Sequence, residues 1–226
     1  YYSGYPTISD SEYDLPEEEL FSLAPDSPIL KMVGSAVGGN SKVEHNKKML
    51  SLEKVYNLSE LEGWIEDRDV VATYKIDGVS CSLIYQDGKL AMAKTRGDGR
   101  QGEDITEKVL WIGSIPKILS SVAGEIEVRG ELYCLEEEFF SLTAEMEKSG
   151  LARPTSQRNI VAGLISRKDH LYLSRYLCFT AFDLLAPTLT IPTEKKKFSI
   201  LKECEFNTPP LFIHPSIKKR RCVKFA

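Results

Sequence analysis

Apolar and polar positions alternate most clearly between residues 70 and 133, which predicts a run of β-strands there. Val70 to Ile76 reads as one strand and Val79 to Tyr85 as the next. The Asp-Gly signal within Gln86-Asp87-Gly88-Lys89 predicts a tight turn, and Leu90 to Arg96 completes a hairpin. Glu125 to Tyr133 sets Ile126, Val128 and Leu132 between charged residues, the period of a half-buried strand. Leu177 to Leu185 is mostly apolar and predicts a buried strand. Helices are expected at three places. Asn57 to Arg68 is one, with Ser59 and Glu62 at capping-box spacing. Leu135 to Lys148 is amphipathic and stopped by Gly150, and Gln157 to Ser166 carries a small-residue face. This irregular mixture of strands and helices points to an α+β fold.

Composition changes the picture at the front. Residues 1 to about 30 are rich in Tyr, Asp, Glu and Pro, with Ser9-Asp10-Ser11-Glu12 as a helix start. The stretch from Val33 to Ser41 has the make-up of a linker, which places a domain boundary there. No apolar run reaches the roughly 18 residues of a membrane span, and no signal peptide opens the chain. The five cysteines, Cys81, Cys134, Cys178, Cys204 and Cys222, form neither a zinc pattern nor a disulfide framework. A reducing, intracellular location is expected. The net charge of -4 argues against a surface coated with phosphate-neutralising cations. The clusters Lys195-Lys196-Lys197 and Lys218-Lys219-Arg220-Arg221 read first as solvated faces.

The segment richest in chemistry is Tyr74-Lys75-Ile76-Asp77-Gly78, a lysine closing an apolar strand ahead of a glycine turn. A lysine becomes a nucleophile when its amine is neutral, and burial or nearby cations favour that form. Such an amine could attack a nucleotide α-phosphorus, with Gly78 letting the backbone turn beside the nucleotide. Alone, the four-residue match is weak and reads first as a turn carrying a surface lysine.

Further segments follow in order: Thr95-Arg96-Gly97-Asp98-Gly99, Gly102-Glu103-Asp104-Ile105-Thr106, Glu127-Val128-Arg129-Gly130-Glu131 and Ser156-Gln157-Arg158-Asn159-Ile160-Val161-Ala162-Gly163. Upstream stand Ile8 to Asp14, Asp26-Ser27-Pro28 and Met49-Leu50-Ser51-Leu52. In order and spacing this set resembles the NAD-dependent DNA ligases, over nearly the whole chain. The resemblance implies a nucleotidyltransferase domain, related to ATP-grasp folds, with antiparallel sheets and helices over 34–226. A small partial helical module over 1–33 would precede it. It also implies an enzyme that takes AMP from NAD onto a lysine, with Mg²⁺ on the phosphates. AMP then passes to the 5′-phosphate of nicked double-stranded DNA, in replication and repair, with no part for a membrane.

By the same resemblance Lys75 is the nucleophile, and Asp77 and Gly78 complete its motif. Arg96 lies near the AMP ribose and nick phosphate, Glu131 contacts the ribose, and Arg158 lies near the DNA phosphate or AMP. Phe182 is placed against the adenine, and Ser51 and Leu52 beside the base. Asp10, Tyr13 and Asp14 match the module that holds the nicotinamide mononucleotide half of NAD. Each has a plainer reading: an ion pair of Arg96 with Asp98 or Asp104, a solvated Glu131 or Arg158, and core packing for Leu52 and Phe182. The chain also departs from the family pattern. Thr73 stands where a glutamate usually reads the adenine amino group, and Ser166 where an arginine is usual. No Asp-Gly-Val-Val-x-Lys segment follows Leu185. The chain is therefore expected to be a fragment, a shortened relative or a decayed copy, and to seal nicks poorly by itself. Two other readings stay open: a lysine nucleotidyltransferase that uses ATP, and a nucleotide- or DNA-binding remnant without catalysis.

Overall fold

The structure, a computed structural model, describes residues 41–214 apart from 51, 121 and 188, together with 16, 19–20 and 22–24. The linker over 33–40, all but those six positions of the module expected over 1–33, its Asp10, Tyr13 and Asp14, the base-side residue Ser51, and the basic run at 218–221 lie outside the described residues.

Strand β1 is Lys42–Glu44, α1 is Leu58–Ile65, β2 is Val70–Ala72, β3 is Val79–Gln86, β4 is Lys89–Thr95 and β5 is Gln101–Glu103. Then come α2 (Thr106–Val109), β6 (Glu125–Tyr133), α3 (Glu136–Lys148), α4 (Gln157–Ser166), a 3₁₀ turn at Leu171–Tyr176, β7 (Cys178–Leu185), α5 (Glu194–Glu203) and β8 (Phe212–His214). The four-stranded sheet runs β4-β3-β6-β7, and two-stranded ribbons pair β1 with β5 and β2 with β8. Every ladder is antiparallel, so the fold is α+β. No helix among the described residues is long and apolar enough to cross a membrane. Cys81, Cys134, Cys178 and Cys204 are free thiols.

The hairpin forms where the Asp-Gly signal sits. Asp87 and Gly88 both take positive φ, 47° and 77°, the backbone of a turn whose twist matches its flanking strands. One face of the main sheet, with Cys81, Leu83, Tyr85, Ile126, Val128, Leu132, Phe179 and Ala181, enters a single core. Helices α3, α4 and α5 add Leu142, Met146, Ile160, Val161, Leu164, Phe198 and Leu201 to it. The other face is polar. Ser80, Ser82, Glu127, Arg129 and Glu131 alternate with the core residues along β3 and β6, as a period of two requires.

Two expectations need correction. The strand predicted over 70–76 ends at Ala72, and residues 73–77 run on without a ladder partner. Lys75 therefore lies in a connecting segment, not at a strand end. At α1 the cap is Asn57, whose side chain accepts from the Glu60 amide at 2.9 Å, while Glu60 accepts from the Tyr56 amide at 3.2 Å. The reciprocal cap is thus built two positions before the Ser59 and Glu62 pair. Asn57 wins because its side chain reaches the first unsatisfied amides from an extended backbone.

Candidate nucleotide site

Gly78 joins the 73–77 segment to β3, and its neighbour Val79 pairs with Leu132. A Cβ at position 78 would collide with the Leu132 carbonyl oxygen. Only glycine lets the lysine segment approach β6 this closely. One register step along, Ser80 lies opposite Glu131. The Ser80 hydroxyl donates to a Glu131 carboxylate oxygen at 2.5 Å. Glu131 is buried at 8% exposure, and burial pushes its carboxyl up against the opposing pull of the Ser80 bond and of the Lys75 and Arg96 charges. Asp77 acts on it in the raising sense. Lys75, Asp77 and Arg96 thus each lie close enough for their charge to act on Glu131.

Arg96 is held from its backbone. Its amide donates to the Ser80 carbonyl at 2.8 Å, which continues the β3 edge past the last rung of β4. The loop after it turns through Gly97 and Gly99, both at positive φ. Asp98 closes that loop by accepting from the Arg100 and Gln101 amides at 2.8 and 2.7 Å, and those two amides hold its carboxyl below the usual range. Asp104 is engaged by the Thr106 amide and hydroxyl at 2.9 and 2.6 Å. Both carboxylates proposed as surface partners of Arg96 thus accept from other groups, Asp98 within the turn that carries Arg96 and Asp104 at the start of α2.

Asp77 faces Arg158, on the first turn of α4, at 3.4 Å. Both side chains are about half exposed, so water screens the pair and it adds at most about 1 kcal/mol to stability. Arg158→Ala is accordingly expected to leave the urea midpoint almost unchanged, so that any loss in an activity assay reports on chemistry; a large fall in the midpoint would contradict this weighting.

Other expected residues spread out. The Lys75 side chain is exposed, so burial, one of the two causes named for a neutral amine, is not supplied by the chain alone. Thr73 is exposed, and Leu52 is 82% exposed, outside the core. Phe182 is half-buried and falls at an irregularity where Arg129 pairs with Asp183 but Gly130 pairs with Ala181. Ala181 and Leu184 enter the core and Phe182 does not. Alternation after Phe179 and Ala181 sets the ring on the other face of the sheet, against the plain core reading, and the extra residue returns Leu184 to the core side. Of the basic cluster at 195–197, Lys197 bonds Asp183 at 2.7 Å and Glu194 at 2.8 Å.

The reading of motifs missed the strap over residues 42–49. Strand β1 pairs with β5, the His45 amide donates to the Arg100 carbonyl at 2.8 Å, and the Met49 amide donates to the Gly99 carbonyl at 2.9 Å. His45 Nε2 lies 3.1 Å from the carbonyl oxygens of both Thr95 and Arg96. Two acceptors require that nitrogen to carry its proton. Burial, then the Lys94 charge, lower the His45 pKa from its ordinary 6.5. The sign follows from linkage. The unfolded chain binds a proton below about pH 6.5 while the folded chain resists it, so stability is present in full above that pH and is lost as pH falls toward the lower folded value. Wild type is expected to lose urea resistance between about pH 7.5 and about pH 5.5, and His45→Gln to lose less over the same window. Equal slopes for the two proteins would remove His45 from the account.

The fold and site together define an α+β domain with a lysine, an arginine and a carboxylate gathered at one end of the strands of its four-stranded sheet. The family model described as "NAD-dependent DNA ligase adenylation domain" matches residues 38–216, and the chain belongs to that family. It is 39% identical over 186 residues to a protein named DNA ligase from Corynebacterium aurimucosum, covering 75% of this chain and 27% of that protein. A DNA ligase from Petrotoga mobilis is 36% identical over 91% of this chain and 33% of its own length. One from Cereibacter sphaeroides is 36% identical over 91% of this chain and 32% of its own. The chain thus spans about a quarter to a third of the length of these relatives.

Proposed function

We propose that this chain is the catalytic region of an NAD-dependent DNA ligase, which takes AMP from NAD onto Lys75 and passes it to the 5′-phosphate of nicked double-stranded DNA. The observation that carries the reading is the gathering of Lys75, Asp77 and Arg96 around the buried carboxylate of Glu131, in a chain of this family. In the first step the Lys75 amine, having lost a proton, attacks the α-phosphorus of the AMP half. A nitrogen–phosphorus bond forms, the oxygen bridge to the other phosphate breaks, and nicotinamide mononucleotide leaves with the electron pair. Arg96 supplies positive charge where negative charge develops on the phosphate. Glu131, fixed by Ser80, accepts from the ribose hydroxyls. Phe182 offers a ring to the adenine, and Ser51, Leu52 and Thr73 border the base. Arg158 acts on a phosphate of AMP or of the nick. Asp10, Tyr13 and Asp14, within a module over 1–33, hold the nicotinamide half.

Mg²⁺ would supply charge on the phosphates. Among the described residues no group of three or more His, Cys, Asp or Glu is placed to hold a metal. The described residues therefore make no Mg²⁺ cage of their own. The test is intact mass after incubation with NAD and Mg²⁺, with ATP in parallel. A gain of one AMP from NAD alone is expected. A gain from ATP alone would make the chain an ATP-using nucleotidyltransferase, and no gain from either, in a folded sample, would leave a binding remnant.

A further inference from the structure

Two more charged residues of β6 share the polar face with Glu131 and take no part in the site described above. Glu127 and Arg129 are both buried, at 6% and 7% exposure. Ser82 Oγ donates to Glu127 Oε1 at 2.8 Å, and Arg129 Nε donates to the same oxygen at 2.7 Å. The other two guanidinium nitrogens leave the sheet altogether. One donates to the Lys48 carbonyl oxygen at 3.1 Å and the other to the Lys47 carbonyl oxygen, 81 and 82 positions away in the chain.

Burying two ions costs desolvation that an apolar pair of similar volume would avoid, so stability alone does not account for the pair. A guanidinium does offer a rigid fork of donors at fixed angles. Here the fork closes on two consecutive carbonyls of the strap. On its other side the strap holds the arginine loop through the His45 and Met49 amides and the His45 ring. A continuous set of bonds thus runs from β6, through Lys47 and Lys48, to the turn that carries Arg96.

We propose that Arg129, oriented by Glu127 and Ser82, is a positioning residue that clamps the Lys47–Lys48 carbonyls and so fixes the Arg96 loop beside Lys75 and Glu131. The consequence for catalysis rests on the ligase reading; the mechanical claim does not. The informative variant is the double substitution Glu127→Gln with Arg129→Met. It removes the fork while leaving no buried charge unpaired, and the amide oxygen introduced by Glu127→Gln still accepts from Ser82. Arg129→Lys, which keeps the charge and loses the fork, accompanies it.

Three readouts separate the possibilities. Trypsin cleavage after Lys47 and Lys48, whose side chains are exposed, is expected to speed up about tenfold in both variants, roughly the effect of losing a charge-assisted hydrogen bond. Amide exchange over 96–100 is expected to rise by a similar factor, while exchange in β3 stays as in wild type. With NAD, the apparent KM is expected to rise about tenfold while the saturated rate of lysine adenylation falls less, because a looser loop and strap weaken nucleotide binding first. Wild-type protection of both strap and loop in the double variant overturns the proposal. A loosened strap with an unchanged loop also overturns it, leaving Arg129 as a local anchor. A wild-type chain that never reacts with NAD defeats the ligase reading instead, and the cleavage and exchange arms still decide the clamp.

Discussion

Lys75→Ala and Lys75→Arg are expected to abolish the gain of one AMP when the protein is incubated with NAD and Mg²⁺. The phosphoramidate needs a nitrogen with a free lone pair. Alanine has none, and the guanidinium stays protonated at any working pH. Neither change should disturb the fold. The Lys75 side chain is exposed in a segment without ladder bonds, and substitutions at such positions usually shift stability by less than about 0.5 kcal/mol. Intact mass and the urea midpoint, measured on the same samples, check both halves. AMP found on another lysine of the Lys75→Ala protein would sink the assignment. The arginine variant is the sharper of the two, since it keeps the positive charge beside Glu131 and removes only the nucleophile.

Gly78→Ala is expected to damage both stability and chemistry. The added Cβ would meet the Leu132 carbonyl oxygen, which is backbone of a core strand and cannot swing aside as a side chain would. Relief requires the 73–78 segment to move away from β6 or the Val79–Leu132 rung to open. Overpacking of this kind costs roughly 1–3 kcal/mol. A shift of about 1 Å in the lysine segment is enough to slow a positioned reaction on the order of 100-fold. Gly163→Ala is the control, because nothing lies within 4 Å of its Cβ on α4, and alanine is the better helix former. We expect Gly163→Ala to match or exceed wild type in urea midpoint, and Gly78→Ala to fall below it with a labelling rate far lower. A Gly78→Ala protein with a wild-type midpoint and rate would show that the close approach is dispensable.

The strands and helices with a strong period were legible from residues alone. Glu125–Tyr133 and Gln157–Ser166 form over the expected ranges, because strand alternation and the small-residue helix face are local signals. The strand expected over 70–76 stops at Ala72 for a physical reason. Its apolar and β-branched residues suit a ladder, but β8 pairs with β2 only through Ala72. Strands β1, β5 and β8 have three residues each, too few for a period to declare itself, and each exists through a partner distant in the chain. The clamp left a trace that went unread: Glu125, Glu127, Arg129 and Glu131 alternate with apolar residues, the same pattern that an ordinary solvated strand face gives.

The sequence by itself determined the family, through the order of its motifs, and the residue types on which the chemistry would draw. It determined the hairpin turn, because Asp87 and Gly88 tolerate positive φ whatever surrounds them. Only the tertiary structure decided which charges meet. It placed Arg96 near Glu131 by tying its amide to the Ser80 carbonyl. It returned Leu184 to the core side by an extra residue in β7, and it buried Glu127 and Arg129 under a strap that composition marks as ordinary polar chain. Local propensity acts over a few neighbouring residues. The placing of a charge beside another charge depends on contacts across many tens of positions, and those exist only once the sheet has formed.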